Sequence, residues 1–265
     1  MRIILIIVCV LPGLIPVRAQ DSVITGTHHY FGYNPGYIQL KEMNLIPKVH
    51  NGMINAVTYC FERTGRNYQS FHFLFGYSNP KTSIERESPD FQNYRKNQGQ
   101  VHFRYSYLFG LANLNNIHYY LGPKLSYTYS LSYYYGWDSH AYWGNYISIG
   151  PENLILVDFP DRFSWLTSLD LSLLGLYNRP DAIRLYKQED WSFFHIIGKT
   201  NSNYQAGILT NALQVRFRTE CRLACSRKYH VAFHYCFYYS RIKSSNSKTL
   251  FELIHSIGIS IFLCR

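Results

Sequence analysis

The chain has 265 residues, 25 of them Tyr and 17 Phe, with 16% charged residues and a formal net charge of +10. So few charges leave little ordinary wetted surface, and the aromatic excess favours strands. A mean hydropathy of −0.19, with no run of ~20 apolar residues after the N-terminus, excludes a helical membrane protein.

Residues 1–19 read as a secretory signal peptide. Arg2 is the basic start, Ile3 to Leu14 the apolar core, and Val17-Arg18-Ala19 a small-residue cleavage site before Gln20. The apolar run is short and is broken by Pro12 and Pro16, so it does not span a membrane as a helix. Cys9 follows Val8 in mid-core and does not make a lipoprotein box. Residues 20–265 are expected to form one domain. Removal of Arg2 and Arg18 leaves a charge of 10 − 2 = +8. Basic, aromatic-rich chains can bind nucleic acid, but export argues against that partner. Anionic lipopolysaccharide or anionic solutes fit the charge instead.

Behind the signal, short stretches alternate strictly between apolar and polar residues, the period of a strand with two unlike faces. A weakly patterned first strand runs from Thr25 to Tyr33 and is expected to end at Asn34-Pro35-Gly36. The second, Val49 to Glu62, sets Val57, Tyr59 and Phe61 against Ala56, Thr58, Cys60 and Glu62, and Thr64-Gly65-Arg66-Asn67 turns the chain. The third, Tyr68 to Ser78, sets Phe71, Phe73, Phe75 and Tyr77 against Ser70, His72, Leu74 and Gly76. A charged loop covers Asn79 to Asn97. The fourth strand sets Val101, Phe103, Tyr105, Tyr107 and Phe109 against His102, Arg104 and Ser106, and the fifth sets Leu125, Tyr127, Tyr129 and Leu131 against Lys124, Ser126, Thr128 and Ser130. A turn at Asn113 to Asn116 separates them.

After a loop at Gly136 to Tyr142, the sixth strand, Trp143 to Val157, sets Ile147, Ile149 and Ile155 against Ser148, Gly150 and Glu152. Pro160-Asp161-Arg162 turns into the seventh, where Phe163, Trp165, Leu169 and Leu171 oppose Ser164, Ser168, Asp170 and Ser172. A long excursion runs from Tyr177 to Gln205, with Arg179-Pro180 marking a strand end because Pro has no N–H for the ladder. The eighth strand sets Leu213, Val215, Phe217, Cys221 and Leu223 against Gln214, Arg216, Arg218, Glu220 and Arg222. The ninth runs from Tyr229 to Tyr239. The tenth sets Leu253, Ile257, Ile259 and Ile261 against Glu252, Ser256, Gly258 and Ser260.

Short turns near Gly65, Asn115, Asp161 and Ser226 alternate with longer loops near 36–48, 79–97, 136–142, 177–205 and 243–248. That alternation predicts an all-β fold: an antiparallel up-and-down transmembrane β-barrel of about ten strands, with short periplasmic turns and longer extracellular loops. Nine strands follow if the first is absent, and twelve also fit. A soluble β-sandwich alternates too, but buries its apolar face and charges its outer one. Here the polar face is rich in Gly, Ser and Thr, and the greasy face ends in Tyr and Trp, as membrane-interface girdles do.

Of the six cysteines, Cys60, Cys221, Cys225, Cys236 and Cys264 follow the signal. None has metal or redox spacing, and all five are expected as small wall or lumen residues without a required disulfide.

Leu121-Gly122-Pro123-Lys124-Leu125-Ser126-Tyr127, the run from Ser168 to Pro180 and the final hairpin from His230 to Phe262 together resemble uncharacterised outer-membrane β-barrel proteins of Bacteroidetes-type, Gram-negative bacteria. The resemblance covers most of the chain after residue 19. It implies location in the outer membrane, contact with its lipid and lipopolysaccharide, and insertion by the barrel-assembly machinery. The chain departs from the usual closing Tyr-Arg-Phe, with Phe262-Leu263-Cys264-Arg265 in its place.

The sharpest constellation is a lumen charge network: Arg216, Arg218, Glu220 and Arg222 alternate on one inward face, with Arg104, Lys124, Glu152, Asp170, Glu252 and Glu62 on other inward faces. A buried Arg needs a partner, so Glu62, Glu152, Asp170 and Glu252 are placed to pair with the arginine ladder. The alternative use is an anion-selective constriction. His72, His102, His230 and His234 also face inward. His230 and His234 lie about 13 Å apart at ~3.3 Å per residue, too far to share a metal by themselves, so neither a metal nor a cofactor is expected.

Small outer-membrane barrels include enzymes, and the catalytic candidates are Asp138 with His140 in one loop and His255 beside Ser256 in the last strand. Adjacent strand residues point to opposite faces, so His255 and Ser256 do not form a simple pair. The leading expectation is a non-enzymatic scaffold or a narrow solute passage. Two alternatives stay open: a surface hydrolase like lipid A deacylases or omptins, and a soluble periplasmic β-sandwich binding protein. The small-molecule ligand is not legible.

Overall fold

The computed structural model describes residues 26–42, 49–81, 95–135, 140–159, 163–179, 198, 204–226, 229–243 and 249–264. The expected signal at 1–19 and the candidate Asp138 lie outside the described residues. The described chain contains β1 (Gly26–Glu42), β2 (Val49–Thr64), β3 (Asn67–Ser78), β4 (Arg95–Leu114), β5 (Ile117–Tyr135), β6 (His140–Phe159), β7 (Phe163–Leu171), β8 (Leu174–Asn178), β9 (Gln205–Ile208), β10 (Ala212–Ala224), β11 (Tyr229–Ile242) and β12 (Leu250–Cys264).

All strand pairings are antiparallel, β7 pairs with β10, and β1 pairs with both β2 and β12, closing the sheet into an up-and-down barrel. β7 and β8 both pair with β6 and form one interrupted wall strand, and β9 and β10 form another, so the barrel has ten strands. Closure leaves the barrel wall no free edge, which an open sheet would expose to further pairing.

The interruption between β7 and β8 has a local cause. Glu152 stands opposite Asp170, and Ile149 opposite Leu174, so three steps along β6 match four along its partner. That extra residue is a β-bulge. Pro151 offers no N–H at this level, and a Cβ on Gly150 would come within 1.9 Å of the Leu171 carbonyl oxygen. The wall strand therefore passes closest where β6 has neither a donor nor a side chain. A second register shift, between Gly110 and Ala112, lies in the β4–β5 ladder.

A three-residue loop, Gly65-Arg66-Asn67, between paired Thr64 and Tyr68 joins β2 to β3, and a two-residue turn, Asn115-Asn116, joins β4 to β5. Asn115 takes the left-handed φ of 55°, which Asn tolerates better than most residues. These turns, the β6–β7 and β10–β11 connections and both strand termini Gly26 and Cys264 share one end of the barrel. The β1–β2, β3–β4, β5–β6, β8–β9 and β11–β12 connections share the other.

The side chains sort as a barrel in an apolar solvent would have them. Phe31, Met53, Phe75, Tyr105, Leu125, Ile149, Trp165, Phe233 and Ile257 are exposed on the outward face, Ile257 by 68%, whereas Glu62 and Glu152 are 0% exposed inside. This overturns the β-sandwich alternative: the greasy face is not a core, and the charged face is. The lumen is filled in layers. Tyr68, Leu108, Tyr120, Leu154, Leu156 and Leu166 pack at the short-turn end. Leu40, Tyr146, Tyr177, Ala212, Ile242 and Leu250 pack at the long-connection end. Polar and charged residues fill the space beside and between them, with Glu220 directly opposite Leu166 in the β7–β10 ladder.

Asn34-Pro35-Gly36 does not end the first strand. Pro35 stands opposite Asn55 of β2, and the β1–β12 register is the same before it (Tyr33 to Ile259) and after it (Gly36 to Ser256). A proline removes one ladder donor, and long partners on both sides carry the strand past it. Several expected loops are also shorter than read. β4 begins at Arg95, β5 extends to Tyr135 and β6 begins at His140, because backbone pairing continues where the apolar alternation has already faded. β8 ends at Asn178, in agreement with the Arg179-Pro180 signal.

Candidate functional site

Strand alternation in β10 turns Arg216, Arg218, Glu220 and Arg222 into the lumen, and the barrel brings acidic residues from distant strands to meet them. Arg222 Nη2 lies 2.7 Å from Glu62 Oε2 of β2, and Arg222 Nε donates to Glu220. Arg218 Nη2 donates to Glu220, and Arg218 Nη1 lies 3.7 Å from Glu62 Oε1. Two guanidiniums and two carboxylates thus cancel in charge. Aromatic faces complete the cluster: the Arg222 guanidinium carbon is 4.7 Å from the Phe262 ring centre, and that of Arg218 is 5.5 Å from the Tyr30 ring centre. Arg218 Nη2 also donates to Tyr30 Oη at 2.6 Å.

A second neutral cluster spans β4, β5, β6 and β7. Arg104 Nη1 donates to Asp170 Oδ2 at 3.0 Å and lies 3.5 Å from Glu152 Oε1, Lys124 donates to Asp170, and Ser106 donates to Glu152. Removing ions from water costs several kcal/mol each, and only close opposite charges with further hydrogen bonds repay it. The first cluster meets that condition; in the second, the ion pairs are close but Arg104 Nε and Glu152 Oε1 make no hydrogen bond among the described residues.

The expected pairing therefore needs correction in detail. Glu62 pairs with the arginine ladder. Glu152 and Asp170 pair instead with Arg104 and Lys124, because β4 and β5 project these cations across the lumen at the level of the two carboxylates. Glu252 accepts from Gln98 Nε2 at 3.3 Å and from Gln100. Arg216 has no carboxylate within ion-pair distance among the described residues. Its Nε donates to Cys236 Sγ at 3.3 Å and its Nη1 lies 3.5 Å from His102 Nε2.

The four inward histidines are inward and engaged. His72 Nδ1 lies 3.2 Å from Tyr30 Oη, His102 Nδ1 lies 2.9 Å from Thr128 Oγ1, His234 meets Asn34, and the His230 ring centre is 6.1 Å from that of His28. One grouping escaped sequence reasoning: ligand-type atoms of Cys60, Glu62 and His72 all lie within 4.8 Å of one another. Thiol, carboxylate and imidazole suit a borderline metal ion. However, Arg218 Nη1 lies 3.4 Å from His72 Nε2 and 3.7 Å from Glu62 Oε1, so a guanidinium already faces the atoms a metal would need.

Of the catalytic candidates, only His255 and Ser256 have described side chains, and the two point to opposite faces. Asp138 lies outside the described residues, and His140 opens β6 with its side chain likewise outside them. His255 is on the outward face, where Tyr235 Oη lies 2.7 Å from its Nδ1 and the Phe237 ring is 5.1 Å away. Tyr235 thus accounts for a polar residue on an apolar wall. Ser256 points inward, as the alternation requires. The cysteines Cys60, Cys221, Cys225 and Cys236 are free thiols.

No protein-family model matches the chain, and no curated protein sequence matches it. Among solved structures, the chain is similar to the outer membrane protease OmpT from Escherichia coli, with a TM-score of 0.57 over 94% of this chain and 99% of that one, at 7% identity. It is also similar to the translocator domain of the autotransporter NalP from Neisseria meningitidis, with a TM-score of 0.46 over 91% and 89% at 8% identity. The β domain of the Bordetella autotransporter BrkA gives 0.40 over 91% and 100% at 9% identity. At these identities the likeness is one of fold: a closed antiparallel barrel of the outer-membrane type.

Proposed function

We propose that the chain is an outer-membrane β-barrel with a filled lumen, a non-enzymatic scaffold that holds its five long connections at the cell surface. The observation that carries this reading is the filling itself: two charge-neutral clusters, Glu62–Arg218–Glu220–Arg222 and Arg104–Lys124–Glu152–Asp170, occupy the lumen together with buried apolar clusters. A ten-stranded barrel has room for side chains and little water, and these side chains use it. A narrow solute passage is the weaker reading for that reason. The exposed apolar wall fits a lipid surround, since a barrel satisfies every wall backbone group within itself.

Lipopolysaccharide and outer-membrane lipid are the partners this wall favours. At the long-connection end, Lys41 and Arg241 flank Phe251 in register on the outward face, with the Arg241 guanidinium 5.9 Å from the Phe251 ring centre. Cations beside an aromatic at the rim suit anionic headgroups. Insertion by the barrel-assembly machinery belongs to the same proposal, since it rests on the closed outer-membrane-type barrel. Membrane fractionation of the exported protein, followed by gel mobility with and without boiling in detergent, tests the location. An outer-membrane band that shifts on boiling is expected. A soluble periplasmic band of constant mobility would overturn the reading.

A further inference from the structure

Beside Arg218 of the first charge cluster lies a small lumen cavity of about 30 Å³, lined among others by Asn34, Thr58, Arg216, Arg218, His234 and Ser256. We propose that it is a binding site for a single halide-sized monovalent anion, held against the Arg216 guanidinium.

The charge pattern leaves Arg216 without a carboxylate in ion-pair contact among the described residues. Arg104, Lys124, Arg218 and Arg222 are each paired with carboxylates. Asp170, the cross-strand neighbour of Arg216, turns one oxygen to Arg104 and the other to Lys124. Glu252 lies two strands away and accepts from Gln98 and Gln100. Arg216 therefore sits half-buried against a thiol and an imidazole, neither of which neutralises it. A partly buried charge without a close counter-charge is costly, and a mobile counter-ion lowers that cost.

The cavity selects the chemistry. A volume near 30 Å³ holds one or two waters, or one halide, and excludes sugars, nucleotides and organic acids. Its charged walls are guanidiniums, and the Ser256 hydroxyl adds a polar hydrogen. A cation is disfavoured, since Arg216 and Arg218 both face the space. The Cys60–Glu62–His72 grouping next to it is approached by Arg218 for the same reason that a metal would be drawn to it.

The proposal rests on the lumen being filled above and below the cavity, and its test reads the site directly, whereas conductance reads the filling. Crystals of the detergent-purified barrel grown in sodium bromide are measured above the bromine absorption edge. One anomalous peak is expected in the cavity, within hydrogen-bonding reach of Arg216, and it is expected to vanish in R216Q. In solution, replacing sodium gluconate by bromide at fixed ionic strength stabilises the folded state by mass action. Bromide at about ten times its dissociation constant raises the folded-to-unfolded ratio about tenfold, in the parent protein and not in R216Q. A cavity holding water alone in bromide crystals overturns the proposal, as does equal stabilisation of the two proteins. If R216Q does not fold, the peak in the parent protein decides.

Discussion

Arg222 and Glu62 stand 160 residues apart in the chain, yet Nη2 of one lies 2.7 Å from Oε2 of the other across the barrel. Neither side chain is more than 4% exposed. Glu62→Gln leaves Arg222 and Arg218 with a single shared carboxylate in a dry interior. Breaking a buried pair in this way costs about 3–5 kcal/mol. The expected result is a correspondingly lower urea midpoint for loss of the fast-migrating folded band. A loss below about 1 kcal/mol, the range of exposed pairs, would mean that the cluster is wet.

Gly150 marks the tightest point of the wall, where a Cβ would meet the Leu171 carbonyl oxygen at 1.9 Å. Gly150→Ala is expected to destabilise the barrel by the overpacking cost of about 1–3 kcal/mol. Gly99→Ala is the control, since nothing lies within 4 Å of a Cβ there, and it is expected to stay within about 0.5 kcal/mol of the parent. Equal effects at the two sites would contradict the bulged wall.

The exposed wall gives a depth-dependent prediction. Ile257 is central in β12 and Leu263 is next to its end. In a bilayer, Ile257→Arg is expected to cost about 2–4 kcal/mol and Leu263→Arg about 0–1 kcal/mol, as read by unfolding in lipid vesicles. A flat profile would place the wall outside the hydrocarbon.

The thiols report on orientation. Cys225 is exposed at the short-turn end and Cys60 is buried in the lumen. In the folded protein a small maleimide is expected to label Cys225 and spare Cys60 until denaturation. In intact cells a membrane-impermeant maleimide is expected to leave Cys225 unlabelled, because the short turns face the periplasm in the proposed orientation. Surface labelling of Cys225 would invert that orientation.

Much of this was legible in local sequence. Once Gly65-Arg66-Asn67 is read as the loop between paired Thr64 and Tyr68, Cys60 must stand opposite His72. Alternation alone put Arg216, Arg218, Glu220 and Arg222 inside. What crosses the barrel was not legible. Arg104 meets Asp170 over 66 residues and Gln100 meets Glu252 over 152, and these contacts depend on strand tilt and stagger, which no single hairpin encodes. Pro35 misled because a turn signal is a local preference, and two long neighbours outweigh it.

The central claim is that side chains fill the lumen. Reconstitution of the folded barrel in a planar bilayer, with current recorded across a range of voltages, tests it most directly. The account predicts a flat trace for the parent protein and conductance steps only after both clusters are dismantled, for example by combining R218S and R222S with R104S. Steady conductance steps from the unmodified, folded protein would contradict it.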